Sequence, residues 1–392
     1  MRNKNTKLKL INEYATREKM QVFDRLFSAL PDPDKILQNN NYDYNIYRDL
    51  LLDPHLTAAV QQRKMQVMQM GWEIDYEGDD NIKRKTIDLV RNLPLPYIIS
   101  DILDSIFFGF SIMEIEWKIK DDEIVPVSLV GKPQEWFIFN RKNEIRLRKR
   151  MNGFYLFEEG KKLPEYKFIL SQNKPTYVNP YGERILSRCY WPVVFKRAGV
   201  EYWQLMMERY GMPYLIGRYN TGATESEKAE LLDQLKQMVE DTITVMETGV
   251  TIEIKESPKY EVGGLYEKIV EFQNNEISKA VLTVTLTTDL KKIGSYKAAQ
   301  IHKDMLSFIG IADKKLVEKA LNTLFEYYCK LNFDEGKAPK IKLNKKEAII
   351  EHTAARDKIL KEIGVRFTKE YFKKKYNLSD SDFELNREET NG

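Results

Sequence analysis

The hydrophobic period of the chain changes at Arg184, and that change limits what it can fold into. Before Arg184 the sequence reads as short alternating stretches set among helices. Gly109-Phe-Ser-Ile-Met-Glu-Ile-Glu-Trp117 alternates apolar and polar residues, the pattern of a half-buried strand. Residues 125–130, 136–140, 145–148 and 154–157 continue as short strands separated by Gly, Pro, Asn and Lys. The 82–108 window is helical with breaks around Pro94 and Pro96, and 21–70 reads as helix interrupted by turns. Leu30-Pro-Asp-Pro-Asp is a breaker before a new helix start. Asp53 is placed as an N-cap with Pro54 at the first helical position. That helix sets Leu56, Ala59, Val60, Arg63 and Val67 along one side, Gly71 closes it, and Trp72 opens an alternating strand. A β-rich platform built on helices is the expectation. Its rings (Trp117, Trp136, Phe137, Phe139, Tyr155, Phe157) could stack single-stranded bases, but alternating spacing favours one buried face.

Beyond Arg184 the periods lengthen. Val194, Ala198, Tyr202, Leu205 and Met206 have helical spacing up to Tyr210, and Gly211-Met-Pro213 ends the run. A small module follows: a strand over 214–219, a helix over 224–241 opened by the capping box Thr224-Glu-Ser-Glu227, and a strand over 250–255. Between Thr221 and Glu256 there are nine acidic and three basic residues, so this module is negatively charged. Gly263-Gly264 opens a helix with Leu265, Ile269, Phe272, Ile277, Ala280 and Val281 on its apolar side. It gives way to the β-branched stretch from Thr283 to Ser295, and then to a long helix over 296–331 with a break expected at Gly310. The tail over 337–375 carries thirteen Lys or Arg against five Asp or Glu, with a helical stretch over 347–363.

Composition narrows the function classes. At 392 residues the chain can hold two or three domains or one elaborated body. Lys plus Arg (62) less Asp plus Glu (59) leaves +3, too close to zero for a surface that clings everywhere to nucleic acid or anionic lipid. Two cysteines, Cys189 and Cys329, exclude a disulfide framework and fit a reducing compartment. With three histidines, at positions 55, 302 and 352 and far apart, a zinc site has little to draw on. The first twenty residues are expected to be a loosely held arm, and no run of about 18 apolar residues suggests a membrane span. Catalytic motifs fail. Gly131-Lys132, Gly160-Lys161 and Gly336-Lys337 each lack the upstream Gly and following hydroxyl of a phosphate-binding loop. Asp79-Asp80 and Asp121-Asp122 sit in turn-like contexts where carboxylates are simply solvated. No catalytic residue, metal or cofactor is expected. Lys291-Lys292 and the basic tail each read either as solvated lysines or as contacts to a polyanion or acidic partner.

Two collinear strings carry a resemblance. The first is Glu276-Ile-Ser-Lys-Ala-Val-Leu, then Thr285-Leu-Thr-Thr-Asp289, Gly294-Ser-Tyr, His302 and Lys330-Leu-Asn-Phe333. The second is Trp191-Pro-Val-Val-Phe-Lys-Arg, then Tyr202-Trp, Met207-Glu-Arg-Tyr-Gly-Met-Pro213 and Ile216-Gly217. Leu51-Leu-Asp-Pro-His55, Gly109-Phe-Ser and Glu362-Ile-Gly-Val-Arg-Phe add supporting echoes. Over roughly 45–380 the chain resembles the portal proteins of Mu-like tailed bacteriophages. It departs from the family at Asp289-Leu-Lys-Lys-Ile293, where members tend to be glycine-rich.

The resemblance implies an α+β portal fold with seven segments. They are a β-rich wing over 1–190, stem helix 1 over 191–210, an α/β clip over 211–262 and stem helix 2 over 263–282. A tunnel loop over 283–296, a long helix over 297–333 packed on the wing and a crown-like helical region over 334–392 complete the order. It implies a homo-oligomeric ring, expected to be a dodecamer, at a capsid vertex of the virion, assembled in the host cytoplasm. Its expected partners are double-stranded DNA bound without sequence preference, the terminase large subunit, the major capsid or scaffold protein and head–tail connector proteins, with no membrane. On that basis Thr287, Thr288, Lys291 and Lys292 are candidate DNA contacts, and Glu225, Glu227, Glu230 and Asp233 a candidate docking face. The alternatives are a capsid-associated adaptor without a channel and, with less support, an enzyme acting on nucleic acid through carboxylates and magnesium.

Overall fold

The structure is a computed structural model that describes residues 29–151, 154–155, 160–210, 214–218, 222–240, 251–255, 262–284, 296–333, 337–344 and 356–376. The described residues fall into two compact units. The first draws on Met1–Ile46, Val60–Ile185 and Ser295–Gly392, the second on Tyr47–Ala59 and Leu186–Gly294.

The first unit is built around strand β3 (Phe110–Lys120). It is flanked antiparallel by β4 (Glu123–Lys132) and β10 (Phe168–Gln172), with Ile112 opposite both Lys132 and Leu170. Phe110, Ser111, Ile112 and Met113 are buried on both faces, because helix α5 (Leu95–Phe108) covers one side with Ile98, Ile102, Leu103 and Ile106. Ser111 Oγ donates to the Asp101 carbonyl at 2.6 Å, so burying that hydroxyl leaves no unmet donor. A register shift between Glu116 and Trp117 then carries the strand out of the core, and Lys118, Ile119 and Lys120 are exposed.

Helix α9 (Tyr296–Asn332) packs against α5, β4 and β10, with Val317, Leu321, Leu324, Phe325 and Tyr328 buried at helical spacing. The expected break at Gly310 does not occur. That residue lies inside a continuous helix and is buried, where an added Cβ would stand 2.9 Å from Gln66 Cβ. Glycine is there for close approach to helix α3 (Pro54–Met68), not for a turn. One turn on, Asp313 accepts a two-pronged pair from Arg63, Nε at 2.7 Å and Nη2 at 3.0 Å.

Strand β13 (Lys340–Asn344) lies in the region over 334–392, ahead of the helical stretch that the sequence places at 347–363. It pairs antiparallel with β2 (Gly71–Asp75), Ile341 opposite Ile74 and Leu343 opposite Trp72. The alternation of Lys340, Ile341, Lys342, Leu343 and Asn344 is strand-like, with Ile341 and Leu343 buried. Its backbone is also held by α9: Asn322 Oδ1 accepts from Ile341 N and Glu318 Oε1 from Leu343 N, both at 2.8 Å. Side chains of the helix thus occupy groups that would otherwise form an open edge.

A second small sheet runs β1 (Ala29–Leu30), β5 (Phe137–Asn140), β6 (Ile145–Leu147) and β9 (Lys161–Lys162). Of the rings named in the sequence, Phe137 and Phe139 are buried, but β5 is buried on both faces, Ile138 and Asn140 included, in place of the single buried face that alternation suggests; Trp136, in the turn before the strand, is 44% exposed. Trp117 Nε1 donates to the Tyr166 carbonyl at 2.8 Å.

The unit is tied together at Arg184. Its Nε donates to the Phe108 carbonyl and Nη1 to Asp32 Oδ1, each at 2.7 Å. Nη2 donates to Asp32 Oδ2 and, at 2.8 Å, to the Tyr44 hydroxyl. The guanidinium lies over the Tyr44 ring, 5.4 Å from its centroid. Tyr181 OH donates to the Leu30 carbonyl at 2.8 Å, and burial pushes that phenol above its ordinary pKa and keeps it protonated. Gly109 at φ +90° and Gly182 at φ +79° let the backbones meet here, since a Cβ on Gly182 would lie 2.4 Å from the Gly109 carbonyl oxygen.

In the second unit the strands β11 (Tyr214–Arg218) and β12 (Thr251–Lys255) pair antiparallel around helix α7 (Glu225–Glu240), whose Leu231 and Leu235 lie over Gly217. Helices α6 (Ile185–Tyr210) and α8 (Val262–Leu282) approach closely at Gly199, whose added Cβ would sit 3.6 Å from Ile269 Cγ2.

Asp32→Ala leaves Arg184 buried without its two-pronged partner and is expected to lower the unfolding free energy by about 3–5 kcal/mol, read as a shifted denaturant midpoint. Asp34 contacts Arg184 at 3.4 Å and caps helix α1 (Lys35–Asn39), so Asp34→Ala is expected to cost about 1–2 kcal/mol. Equal losses would show that Asp32 is not the main counter-charge.

Candidate functional site

Asp53 organises the second unit. Its Oδ1 accepts from Leu56 N at 2.9 Å, the capping role read from the sequence, and its Oδ2 lies 2.8 Å from Lys196 Nζ on α6. Two residues on, His55 Nε2 and Ser278 Oγ on α8 share a hydrogen bond of 2.8 Å. Asp49 receives Arg197 Nη2 on its carbonyl at 2.7 Å. The stretch Tyr47–Ala59 therefore binds both long helices of its unit.

Each helix buries only part of its apolar side. On α6, Leu186, Cys189 and Val193 are buried, while Trp191, Phe195, Tyr202 and Leu205 are more than half exposed. Those positions follow i, i+4, i+11 and i+14, one face of a helix, and the Trp191 and Phe195 rings stack at 5.4 Å between centroids. On α8, Ile277 and Val281 are buried, but Leu265 (62%) and Phe272 (58%) are exposed and Ile269 is partly so. The sequence placed all five on one apolar side. The structure divides that side between residues the unit covers itself and residues it leaves to solvent. At about 100° per residue the two groups fall on different sides of each helix, but the period does not say which side the unit covers.

Glu225, Glu227, Glu230 and Asp233 are all exposed on α7. Two of them have local work. Glu227 Oε2 accepts from Thr224 N at 2.7 Å, which holds its carboxyl below the usual range, and Glu225 Oε1 lies 2.6 Å from Lys228 Nζ. Glu230 and Asp233 follow at helical spacing and complete the acidic face. Thr287, Thr288, Lys291 and Lys292 lie outside the described residues, as does His352. Burial pushes the Cys189 thiol up to about 12 and the Cys329 thiol up to about 11, so neither is a thiolate nucleophile near neutral pH. Among the described residues no three His, Cys, Asp or Glu side chains group as metal ligands.

The fold is shared with chains from the neck of the gene transfer agent particle. A chain in the neck of the native gene transfer agent particle, computed with C12 symmetry, matches with a TM-score of 0.58 at 10% identity, covering 88% of this chain and 93% of that one. A chain from the neck of the empty particle, computed with C6 symmetry, also matches at 0.58 and 10% identity, covering 85% and 93%. The family is settled by sequence: over residues 44–378 the chain matches the model described as portal protein of Mu bacteriophage, and it belongs to that family. It is 25% identical over 278 residues to the portal protein of Escherichia phage Mu, covering 69% of this chain and 53% of that protein. It is 23% identical over 318 residues to a protein of the Mu-like prophage FluMu of Haemophilus influenzae, covering 76% and 59%. The chain thus spans a little over half the length of these curated relatives.

Burial, then the nearby Lys196 ammonium, lowers the His55 pKa, against a raising effect of its bond to the Asn274 backbone. The folded state therefore binds fewer protons than the unfolded state, and His55 contributes a stability loss that begins as pH falls below about 6.5. Unfolding midpoints at pH 7.5 and pH 5.0 are expected to differ more for the wild type than for His55→Asn, which cannot charge. An identical pH dependence in the two proteins would contradict this.

Proposed function

We propose that the chain is the subunit of a portal: a homo-oligomeric ring of twelve at one capsid vertex, through which double-stranded DNA enters during packaging and leaves at ejection. The observation that carries the reading is the exposed apolar face on both α6 and α8 in a member of this family. Aromatic and aliphatic side chains on one face of each of two neighbouring helices are costly in water, at roughly 25 cal/mol per Å². A ring covers them by repeating one heterologous contact until it closes. The twelvefold symmetry of the neck whose chain shares this fold supports the copy number.

On this reading α6 and α8 are the stem helices, β11, α7 and β12 the clip, 283–296 the tunnel loop, and the first unit, with α9 packed on its sheet, the wing. The role is structural, with the packaging ATPase on a separate polypeptide. A net charge of +3 per chain suits a bore that lets DNA slide. A belt of strong positive charge multiplied around the ring would hold the duplex by counterion release at every phosphate. Thr287, Thr288, Lys291 and Lys292 are the proposed backbone contacts. The acidic α7 face, with Glu225, Glu227, Glu230 and Asp233, is the proposed dock for the terminase large subunit and later for head–tail connector proteins. The major capsid or scaffold protein is the proposed neighbour in the shell. The β11–β12 pair has two strands, so its edges can take up strands of adjacent subunits.

Particle mass and negative-stain symmetry test the ring. The wild type is expected to form closed rings with a central hole wide enough for a duplex. Tyr202→Lys combined with Phe272→Lys, at exposed positions, is expected to release subunits that remain folded. Wild-type protein that stays monomeric at high concentration would overturn the reading, and intact rings in the double variant would overturn the assigned interface. In a packaging assay, Lys291→Glu with Lys292→Glu is expected to reduce DNA uptake or retention at unchanged terminase binding. Glu230→Lys with Asp233→Lys is expected to weaken terminase binding itself. Wild-type behaviour of either pair removes the corresponding site.

A further inference from the structure

The basic tail is the one charge feature of the sequence that the portal reading leaves unused. Its described part, 356–376, folds as a helical stretch over 356–362, a turn at Gly364, and helix α10 (Lys369–Tyr376). Gly364 takes φ +95°, the left-handed conformation that ends a helix at low cost in glycine. Between Arg356 and Tyr376 there are eight Lys or Arg against three Asp or Glu.

How those acids are used decides the character of the surface. Asp357 is only 5% exposed, and its carboxylate accepts from Arg356 Nη2 at 2.9 Å, Tyr371 OH at 3.0 Å and Tyr376 OH at 2.7 Å. It is spent on joining the two helices. Stacked rings complete the inner side, Phe367 on Tyr371 at 4.8 Å and Phe372 on Tyr376 at 5.7 Å between centroids. Lys358, Lys361, Arg366 and Lys369 are exposed on both helices and the turn between them. Among the described residues no carboxylate lies within ion-pair distance of Lys358, Lys361 or Arg366.

We propose that this two-helix element binds the phosphate backbone of duplex DNA, at a site separate from Thr287, Thr288, Lys291 and Lys292. Cations spread along two helices and a turn fit a ligand with one charge per roughly 1.7 Å better than the localised carboxylates of a protein surface. Identical copies of the element repel one another, so a second copy is a poor occupant. An acidic protein partner is the rival, because Ile359 and Ile363 are exposed beside the lysines and such a partner could cover them. The biological source of the DNA rests on the portal reading. Binding itself does not.

The test uses the purified full chain and a fluorescein-labelled 30-base-pair duplex of mixed sequence, followed by anisotropy across a salt series. Lys358→Gln, Lys361→Gln and Arg366→Gln together are compared with Lys118→Gln, Lys120→Gln and Lys315→Gln, an equal charge change at exposed positions of the first unit. The tail variant is expected to bind at least about 10-fold more weakly near 0.1 M salt, with the log–log salt slope smaller by roughly 0.9 for each phosphate it no longer neutralises. The control variant is expected to stay within about twofold of the wild type. Equal losses in the two variants, unchanged binding in the tail variant, or no duplex binding by the wild type would overturn the proposal. So would preferential binding of poly-L-glutamate, which would point to the acidic protein. Should the tail variant unfold, hydrogen exchange of the wild type decides: protection of 356–376 on adding duplex supports the site, and its absence removes it. Particle mass recorded on the same samples separates the two ideas. Monomers whose tail variant loses DNA would end the ring reading alone, and rings whose tail variant keeps DNA would end this site alone.

Discussion

A buried guanidinium cannot shed its charge, so a fold that encloses one must supply acceptors from wherever the chain can reach. Arg184 draws them from three places, all 76 or more residues before it: the Asp32–Asp34 turn, Tyr44, and the carbonyl at the end of α5. The close passage of Gly109 and Gly182, the seating of Tyr181 and the docking of β1 on β5 all belong to that enclosure. It also stands where the chain leaves the first unit, since α6 starts at Ile185.

The elements that sequence reading finds easily are those whose pattern matches their burial. The strand from Phe110, the helices on either side of Pro94, the Asp53 cap and the Thr224 capping box are local, and their signals are local too. What escapes it is non-local. Ala29–Leu30 is a strand only because Phe139 and Asn140 lie beside it, and two residues carry no period. Lys340–Asn344 alternates cleanly but sits in a lysine-rich tail, where charge conceals the pattern. Gly310 reads as a break because the chemistry that suits a turn also suits close helix contact. The candidate surfaces follow the same rule. The acidic face of α7 is legible residue by residue, while the apolar faces of α6 and α8 cannot be divided into covered and uncovered halves without the fold.

Charge is distributed unevenly along a chain that is almost neutral in total. Acids are dense on α7 and bases in the tail, while α6 and α8 each expose aromatic or aliphatic side chains. Each surface favours a different class of neighbour. The half-buried imidazole of His55 faces Ser278 and acts as a strut between helix ends, so this histidine is architectural.

The contact of Gly310 with Gln66, one turn before the Arg63–Asp313 pair, sets how close α9 and α3 can lie. The rod begins fourteen residues earlier, at Tyr296, about 21 Å away at 1.5 Å per residue. Any side chain larger than hydrogen at that crossing would prise the two rods apart and open a gap along a seam that is now closed.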